Sequence, residues 1–411
     1  MRKNNKKSVR NNSDVIYEED LDIKNVAGNR NKKKKKSKRK LTEDEIIKRK
    51  KRRKRRFIFV LIVLLVLLIM FLVSLYKWNK IMKDVINVKN SIVVDSAGNV
   101  IAVLGESRIQ ETVTLDKVPK NLINAYVSIE DKNFYKHHGI NIKRTAGAIG
   151  SYILHRGDAS YGGSTITQQL VKNITGDNES SISRKMTEWD RAVKTEMVLS
   201  KDEIMQTYLN IIYVGPNVYG VEMGSRYYFN KSVSDLDLAE CAFLAGLNHS
   251  PNSYNPFGEN DNSERIAYRT KIVLGVMLQE GYISGEEYDG AVSEVEEGLK
   301  FEKGDVKPKG DGVYSYMVDA TISEVVEDLK KEKKMSTSFA TNYLDYSGLT
   351  IHCTQNSDIQ KDIEEEFSKK QYQIQSTKQE NTTAQAAMVV IDNSTGQVVG
   401  CMRWIRRKKH I

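Results

Sequence analysis

The chain has 411 residues, enough for roughly two or three folded units, and its formal net charge of +11 would suit a nucleic-acid-binding protein. Residues 1–56, however, hold 24 of the 64 lysines and arginines and 8 of the 53 aspartates and glutamates, a net charge of +16, which leaves −5 for the remaining 355 residues. The bulk of the chain is therefore mildly acidic. Composition excludes a basic nucleic-acid-binding domain there, and we expect no nucleic-acid partner.

An apolar segment without charged residues extends from Phe57 to Tyr76. As a helix rising about 1.5 Å per residue, it would span a hydrocarbon layer of about 30 Å, which predicts a transmembrane signal anchor over residues 57–76. No small-residue cleavage site follows it, which argues against a cleaved signal peptide. Because basic residues directly precede the segment, the positive-inside rule predicts a single-pass type II protein with residues 1–56 in the cytoplasm.

Composition divides the rest of the chain into further segments. The basic tail, residues 1–56, has too few apolar residues to form a core, so we expect it to be disordered and to contact anionic lipid. Residues 77–300 are predicted to form a compact, mainly helical domain with a strand–turn–strand near its start. Residues 301–385 are predicted to be a small α+β linker region, and residues 386–411 to begin with another strand–turn–strand.

The first candidate for chemistry is an acidic pair, Glu130 and Asp131, which follows an apolar-periodic stretch and precedes Phe134 and His137. A carboxylate at the end of a helix can act as a general base if it faces a substrate hydroxyl. It can equally be a solvated helix terminus, and the histidine can satisfy backbone groups in a turn. This segment alone leaves both interpretations open.

The second candidate begins at Gly163 and Ser164 and is more specific. Thr165, with Gln168 three residues later, predicts a capping box that opens a helix. One face of that helix carries a polar stripe of Thr165, Gln168, Gln169 and Lys172. Because the N–H groups and dipole of a helix N-terminus attract anions, the stripe predicts a phosphate site, although a capped surface helix would look partly similar.

The third candidate is a helix on which Arg184 and Glu188 are four residues apart. The buried stripe of this helix is predicted to consist of Met186, Trp189, Val193 and Met197. By itself, the segment favours an ordinary ion pair on a helix surface. The next segment, from Ser200 to Gly215, is predicted to be a capped scaffold helix.

Taken in this order, the segments resemble the glycosyltransferase domain of class A penicillin-binding proteins and of monofunctional peptidoglycan glycosyltransferases. The residues that carry the resemblance are Glu130, Asp131, Phe134, His137 and Gly139, then Gly162 to Asn173, then Arg184, Lys185, Glu188 and Trp189, then Tyr208 to Gly215 with Gly220, and finally Tyr228 to Pro256. Five ordered motifs over about 130 residues are far more specific than any one of them.

The resemblance implies a lysozyme-like helical fold and a reaction on lipid II, the undecaprenyl-pyrophosphate-linked precursor of peptidoglycan. The growing lipid-linked glycan strand would be the donor. The resemblance implies that Glu130 is the general base for the acceptor's 4-hydroxyl, with inversion at the donor's anomeric carbon. It implies that Glu188 is a second catalytic glutamate, which assists at the donor pyrophosphate. No cofactor is required by the sequence, and a divalent cation, Mg or Mn, is left open at Glu188.

The resemblance also implies a set of substrate-binding residues: Asp131, Phe134, His137, Gly163, Ser164, Thr165, Gln168, Gln169, Lys172, Arg184 and Lys185. Lys172 and Arg184 would stabilise the charge that develops on the leaving pyrophosphate. The apolar residues 145–154 would correspond to a part of the domain that dips into the bilayer surface. The implied partners are lipid II with the growing strand, the cytoplasmic membrane and other cell-wall synthesis proteins.

The C-terminal part departs from the family pattern. Class A penicillin-binding proteins continue into a transpeptidase with Ser-x-x-Lys, Ser-x-Asn and Lys-Thr-Gly motifs, none of which occurs in a usable position here. We therefore expect residues 386–411 to be the truncated start of that domain, without transpeptidase activity. Two other functions stay open: a lysozyme-like enzyme that cleaves peptidoglycan, and a non-enzymatic, membrane-tethered cell-wall scaffold.

Overall fold

The computed structural model describes residues 43–147, 163–179, 181–369 and 386–403. Within those ranges the chain is predominantly helical with a few short strands, which confirms the prediction of a mainly α fold. The chain divides into two compact units, Met1–Met70 and Phe71–Ile411. Several predicted features fall wholly or partly outside the described residues, at 1–42, 148–154, 370–385 and 404–411.

The first helix, α1, runs from Glu43 to Val85 and extends beyond both ends of the predicted transmembrane segment. It is long and apolar enough to cross a bilayer, with a mean hydropathy of 3.5 in its most apolar, wholly unburied window, and it fits a membrane anchor. The last part of α1 belongs to the core of the second unit, because Trp78, Met82 and Val85 are buried. There the Trp78 Nε1 donates to Thr195 Oγ1 at 2.9 Å.

The helices that follow in the described ranges are α2 (Lys120–Glu130), α3 (Ile166–Thr175), α4 (Ile182–Val198), α5 (Lys201–Ile211), α6 (Val221–Phe229), α7 (Leu238–Leu247), α8 (Ser263–Gln279), α9 (Gly285–Glu297), α10 (Tyr316–Lys333), α11 (Thr337–Tyr346) and α12 (Ser357–Ser368). Short 3₁₀ turns occupy Leu115–Lys117, Phe134–Lys136 and Val233–Asp235. Capping boxes at Thr165 and Ser200 begin α3 and α5, which confirms both of those predictions.

The strands are short: β1 (Ile92–Val94), β2 (Val100–Val103), β3 (Ile109–Gln110), β4 (Tyr213–Gly215), β5 (Val218–Tyr219), β6 (Thr350–His352), β7 (Ala387–Ile391) and β8 (Val398–Arg403). In the described part of the chain they form sheets with the strand orders β2-β1-β6, β3-β5-β4 and β7-β8. The antiparallel pairs β1–β2 and β7–β8 confirm the two predicted strand–turn–strand segments.

Helix α7 lies at the centre of the helical core. Its residues from Ala239 to Leu247 are all buried, and it packs against α2 and α8. Burial raises the pKa of the Cys241 thiol well above its usual range, so the thiol stays protonated and behaves as a small apolar group. Cys241 is therefore a packing residue of the core.

Helix α4 buries a different face from the one predicted. Met186 and Met197 are exposed, at 61% and 55%, so their assignment to the buried stripe was wrong. The buried residues are instead Glu188, Ala192, Lys194 and Thr195. The physical reason is that α4 packs through small and polar side chains: Thr195 accepts a hydrogen bond from α1, and the backbone of Gly139 lies directly over that of Ala192.

The predicted α+β region after residue 300 contains α10, α11, α12 and β6, and it packs on the helical domain. Strand β6 pairs in parallel with β1. Asn342 Nδ2 donates to the backbone oxygen of Asn173, at the end of α3, at 3.1 Å. Phe339 and Tyr343 are buried. These contacts make the region part of the same core, while the domain boundary drawn at residue 300 stays a prediction.

Candidate active site

Glu130 is the last residue of α2, where the chain leaves the helix. Helix α2 is fixed by its buried face, which includes Leu122, Ala125 and Tyr126. The Glu130 carboxylate is partly exposed, and its Oε2 accepts a hydrogen bond from Gln169 Nε2 on α3 at 2.7 Å. Among the described residues, its Oε1 has no hydrogen-bond partner. One carboxylate oxygen is therefore held in place while the other is available to a substrate.

Asp131, the next residue, joins α2 to α3. It is fully buried, and its Oδ2 accepts from His137 Nε2 at 2.7 Å and from the backbone N of Ile166, the first residue of α3, at 3.1 Å. His137 Nδ1 accepts from the backbone N of Gly139 at 3.2 Å, so the ring hydrogen is on Nε2 and points to Asp131. This bond network brings the end of α2, with Glu130, against the start of α3.

The turn after Asp131 is also packed into the core. Phe134 is fully buried, with Lys201 Nζ 4.4 Å from its ring centroid. Gly139 has φ +88° and comes so close to Ala192 that an added Cβ would lie 2.6 Å from a backbone oxygen. The structure thus gives Asp131, Phe134 and His137 positioning contacts, and direct contact of these side chains with substrate stays a prediction.

The polar stripe of α3 divides into two pairs. Thr165 and Gln168 are buried and cap the helix: Thr165 N donates to Gln168 Oε1 at 2.8 Å, and Gln168 N to Thr165 Oγ1 at 3.1 Å. Gln169 binds Glu130, and Lys172, one turn further along the same face, is exposed. The capping pair therefore shapes the helix, whereas Gln169 contacts the site and Lys172 is exposed to solvent. Substrate contacts of all four side chains stay predictions.

Glu188 is the centre of a second cluster, on α4. It is only 5% exposed, its Oε2 pairs with Arg184 Nη1 at 2.5 Å, and its Oε1 pairs with Lys185 Nζ. Lys185 Nζ also donates to Ser164 Oγ at 2.9 Å. The predicted Arg184–Glu188 pair is present, but it is buried and shared with Lys185, unlike an ordinary surface pair.

These residues do not fit a divalent cation at Glu188. Both carboxylate oxygens are occupied by cationic side chains, and no cluster of three or more His, Cys, Asp or Glu suited to a metal occurs in the described ranges. A cation there would have to displace Arg184 and Lys185.

The two clusters meet at the N-terminal end of α3. Ser164, just before the helix, binds Lys185, and Gln169, in its first turns, binds Glu130. Gly163, half-buried, lies beside Ser164. Lys172 is about 4.5 Å along the helix axis from Gln169. One short segment thus binds Glu130 directly and reaches Glu188 only through Lys185, and it also carries the cationic residue Lys172.

Tyr208 and Asn248 contact the site but were not predicted as site residues. Both donate hydrogen bonds to Gln169 Oε1, at 2.9 and 3.1 Å. Tyr208 belongs to the apolar stripe of α5 and therefore looked like a core residue. Asn248 follows the apolar helix α7, and the sequence offers no local signal that links it to Gln169.

Comparisons with known proteins agree with the motifs. A family model described as Transglycosylase matches residues 97–278. Penicillin-binding protein 1A of Clostridium botulinum (strain Langeland) is 38% identical over 317 residues, covering 75% of this chain and 38% of that protein. Penicillin-binding protein 1A of Clostridium perfringens (strain 13) is 36% identical over 321 residues, covering 75% of this chain and 47% of that protein. Penicillin-binding protein 1A of Aquifex aeolicus is 40% identical over 228 residues, covering 54% of this chain and 31% of that protein.

The chain spans less than half the length of these relatives. The crystal structure of penicillin-binding protein 1A from Haemophilus influenzae is similar over 67% of this chain and 28% of that chain, at 23% identity and a TM-score of 0.27, which is too small to support an argument. The sequence matches confirm the resemblance from which the site residues were predicted. Over residues 97–278, the chain is similar to the transglycosylase family.

Proposed function

We propose that this chain is a peptidoglycan glycosyltransferase that polymerises lipid II into glycan strands in cell-wall synthesis. One observation carries the proposal: residues in and just before α3 contact both parts of the site. Gln169 holds the Glu130 carboxylate, and Ser164 binds Lys185. The same short segment carries Lys172. A base beside fixed cations is what transfer from a pyrophosphate donor requires.

In the proposed reaction, Glu130 Oε1 takes the proton of the acceptor's 4-hydroxyl. The hydroxyl oxygen forms a bond to the donor's anomeric carbon as the bond from that carbon to the pyrophosphate oxygen breaks. A single displacement inverts the anomeric configuration and releases undecaprenyl pyrophosphate. Gln169 keeps the carboxylate aimed without neutralising it, because an amide donates a hydrogen bond but carries no charge.

The leaving pyrophosphate gains negative charge, and the cationic side chains would bind it. Lys172 is exposed one helical turn from Gln169, and Arg184 and Lys185 are held by Glu188. Cations fixed before the reaction stabilise the transition state more than the ground state, since charge grows on the leaving group as the bond breaks. Glu188 would serve this step by holding Arg184 and Lys185 in place.

The proposed location is the outer face of the cytoplasmic membrane, with α1 as a single-pass anchor and the N-terminus in the cytoplasm. The basic residues before the apolar segment support this orientation. Lipid II and the growing strand both remain in the membrane through their lipid tails, so an anchored enzyme meets them at a high effective concentration. Other cell-wall synthesis proteins are proposed partners.

The test is a lipid II polymerisation assay on the full chain in detergent. Glu130→Gln should lower the rate by about 10² to 10⁴, the usual contribution of a general base. Glu259→Gln, at an exposed glutamate with no contact to the site residues among those described, is the matched control and should keep full activity. An inactive wild-type chain, or an active Glu130→Gln variant, would refute the proposal. Hydrolysis of finished glycan strands would favour a lysozyme-like enzyme instead.

A further inference from the structure

The amide that holds Glu130 is itself held by two other side chains. Gln169 Nε2 donates to Glu130 Oε2, so its Oε1 points the other way. That oxygen accepts from Tyr208 Oη at 2.9 Å and from Asn248 Nδ2 at 3.1 Å. Asn248 Nδ2 also donates to Tyr208 Oη at 3.0 Å. These four side chains form one continuous hydrogen-bond network.

Donor and acceptor chemistry sets the direction of this network. Burial, with the negative charge of Glu130, raises the pKa of Tyr208 well above its usual value, so its phenol stays a hydrogen-bond donor. The Asn248 amide nitrogen carries two hydrogens, one for Tyr208 and one for Gln169. A reversed Gln169 amide would face two donors with its own NH₂ group and turn its oxygen towards the Glu130 carboxylate. Only the observed Gln169 orientation pairs a donor with an acceptor at each bond that Gln169 makes.

The network is built into the core of the domain. Tyr208 is fully buried on α5, and its ring packs edge-on against Tyr126 of α2 at 5.9 Å between centroids. Asn248 is half-buried at the end of α7. Groups from α3, α5 and α7 therefore converge on the carboxylate at the end of α2, so its position depends on packing and not on one contact alone.

We propose that Tyr208 and Asn248 are positioning residues for Glu130 and act through Gln169. This proposal rests on the proposed function. Neither side chain contacts the acceptor or the donor. Both hold the Gln169 amide so that it engages Glu130 Oε2 and leaves Oε1 directed at the acceptor hydroxyl. Removing either of these hydrogen bonds should lower the reaction rate, because a small displacement of a general base from its substrate proton greatly reduces catalysis.

The first test is a double-mutant cycle in lipid II polymerisation by the full chain in detergent. Tyr208→Phe should lower kcat about tenfold with little change in KM, because the two hydrogen bonds of its hydroxyl, to Gln169 and from Asn248, are lost while the substrate sites are intact. In a Gln169→Ala background the same change should have no further effect on kcat. The control is Tyr228→Phe, which removes a buried hydroxyl that donates to the Val214 oxygen at 2.9 Å, and kcat should not change.

The second test uses a change of chemistry without a change of shape. Asn248→Asp removes the donor and places a negative charge beside Gln169 Oε1, so it should lower kcat more than Asn248→Ala does. A purely packing role predicts the reverse order, since aspartate matches asparagine in shape. Wild-type activity in Asn248→Asp, or an undiminished effect of Tyr208→Phe in the Gln169→Ala background, would overturn the proposal.

A measurement independent of activity separates this proposal from the proposed function. If the wild-type chain does not polymerise lipid II, the proposed function fails. Thermal unfolding then tests whether the side chains of the network are energetically coupled. The losses in Tm from Tyr208→Phe and Gln169→Ala should then be less than additive, and additive losses would overturn the network. If Tyr208→Phe does not fold, the cycle is run with Asn248→Ala, at a half-buried position.

Discussion

The two glutamates of the site are held by opposite kinds of partner. The Glu130 carboxylate accepts one hydrogen bond, from a neutral amide, and its second oxygen has no partner in the described residues, while Arg144 donates only to the Glu130 backbone oxygen. Glu188 is paired through both oxygens with cations, Arg184 and Lys185. A neutral donor orients a carboxylate and leaves it able to accept a proton, whereas two cations occupy it. This difference supports the proposal that Glu130 transfers the proton and that Glu188 holds the cations.

The largest loss of polymerisation rate is expected when Glu130, like Glu188, is given a cationic partner. Gln169→Lys would place an ammonium group beside the carboxylate and compete with the substrate proton, so the polymerisation rate should fall by about 10² to 10³. Gln169→Met, similar in length but neutral and without a donor, should lose only about tenfold. The assay is initial-rate polymerisation of lipid II. A Lys variant as active as the Met variant would break the comparison.

A smaller effect is expected when Glu188 loses its charge. Glu188→Gln leaves Arg184 and Lys185 without a counter-charge, and because both cations are partly exposed, the unfolding free energy should fall by only about 1 to 2 kcal/mol. The rate should fall about 10- to 100-fold. Chemical denaturation measures the first quantity, and the polymerisation assay the second.

The control for Glu188→Gln is Glu327→Gln, which breaks an i,i+3 pair with Lys330 on the exposed face of α10. That pair is solvated, so its loss should change the unfolding free energy by less than about 0.5 kcal/mol and leave the rate unaltered. Equal destabilisation by the two substitutions would show that the Glu188 cluster is an ordinary surface pair.

A still smaller effect on lipid II polymerisation is expected from Ser164→Ala. It removes the one hydroxyl that holds Lys185 against the segment before α3, at 2.9 Å. The expected result is a rise of about two- to fivefold in KM with kcat nearly unchanged, since Lys185 keeps its pairing with Glu188. Steady-state kinetics over a range of lipid II concentrations distinguishes this from a loss in kcat.

A third carboxylate, Asp95, extends the comparison to a residue outside the candidate site whose hydrogen-bond donors are all neutral. Hydrogen bonds, chiefly from Ser357 and also from Asn99 and Ala97, lower its pKa from 3.8 to about 2. Because the folded-state value is depressed, the stabilisation is fully present above about pH 4 and is lost as the pH falls through about 2. Unfolding measured across this range should lose stability more steeply in the wild-type chain than in Asp95→Asn.

Local rules in the sequence predicted the elements of the site well. The capping boxes at Thr165 and Ser200 involve residues three positions apart, and both are present. The acidic pair was found at the end of a helix, as the apolar periodicity before it indicated. These features depend on neighbours in the chain, which a sequence displays directly.

Contacts between distant segments could not be predicted. Helix α4 was assigned the wrong buried face because apolar Met186 and Met197 were expected inside, whereas its partner, the end of α1, packs against Thr195. The pairing of β6 with β1 joins two segments that are far apart in the sequence of the second unit. Asn248 reaches Gln169 only because α7 ends beside α3, which no local pattern reveals.

The burial of Trp78, Met82 and Val85 sets a limit on how the second unit can be separated from the apolar part of α1. A shortened chain that begins after Val85 would lose three core side chains, and the hydroxyl of Thr195 would lose its indole partner. Shortened versions for crystallisation or inhibitor screening should therefore keep α1 from about Phe71 onward and replace only the exposed apolar residues before it.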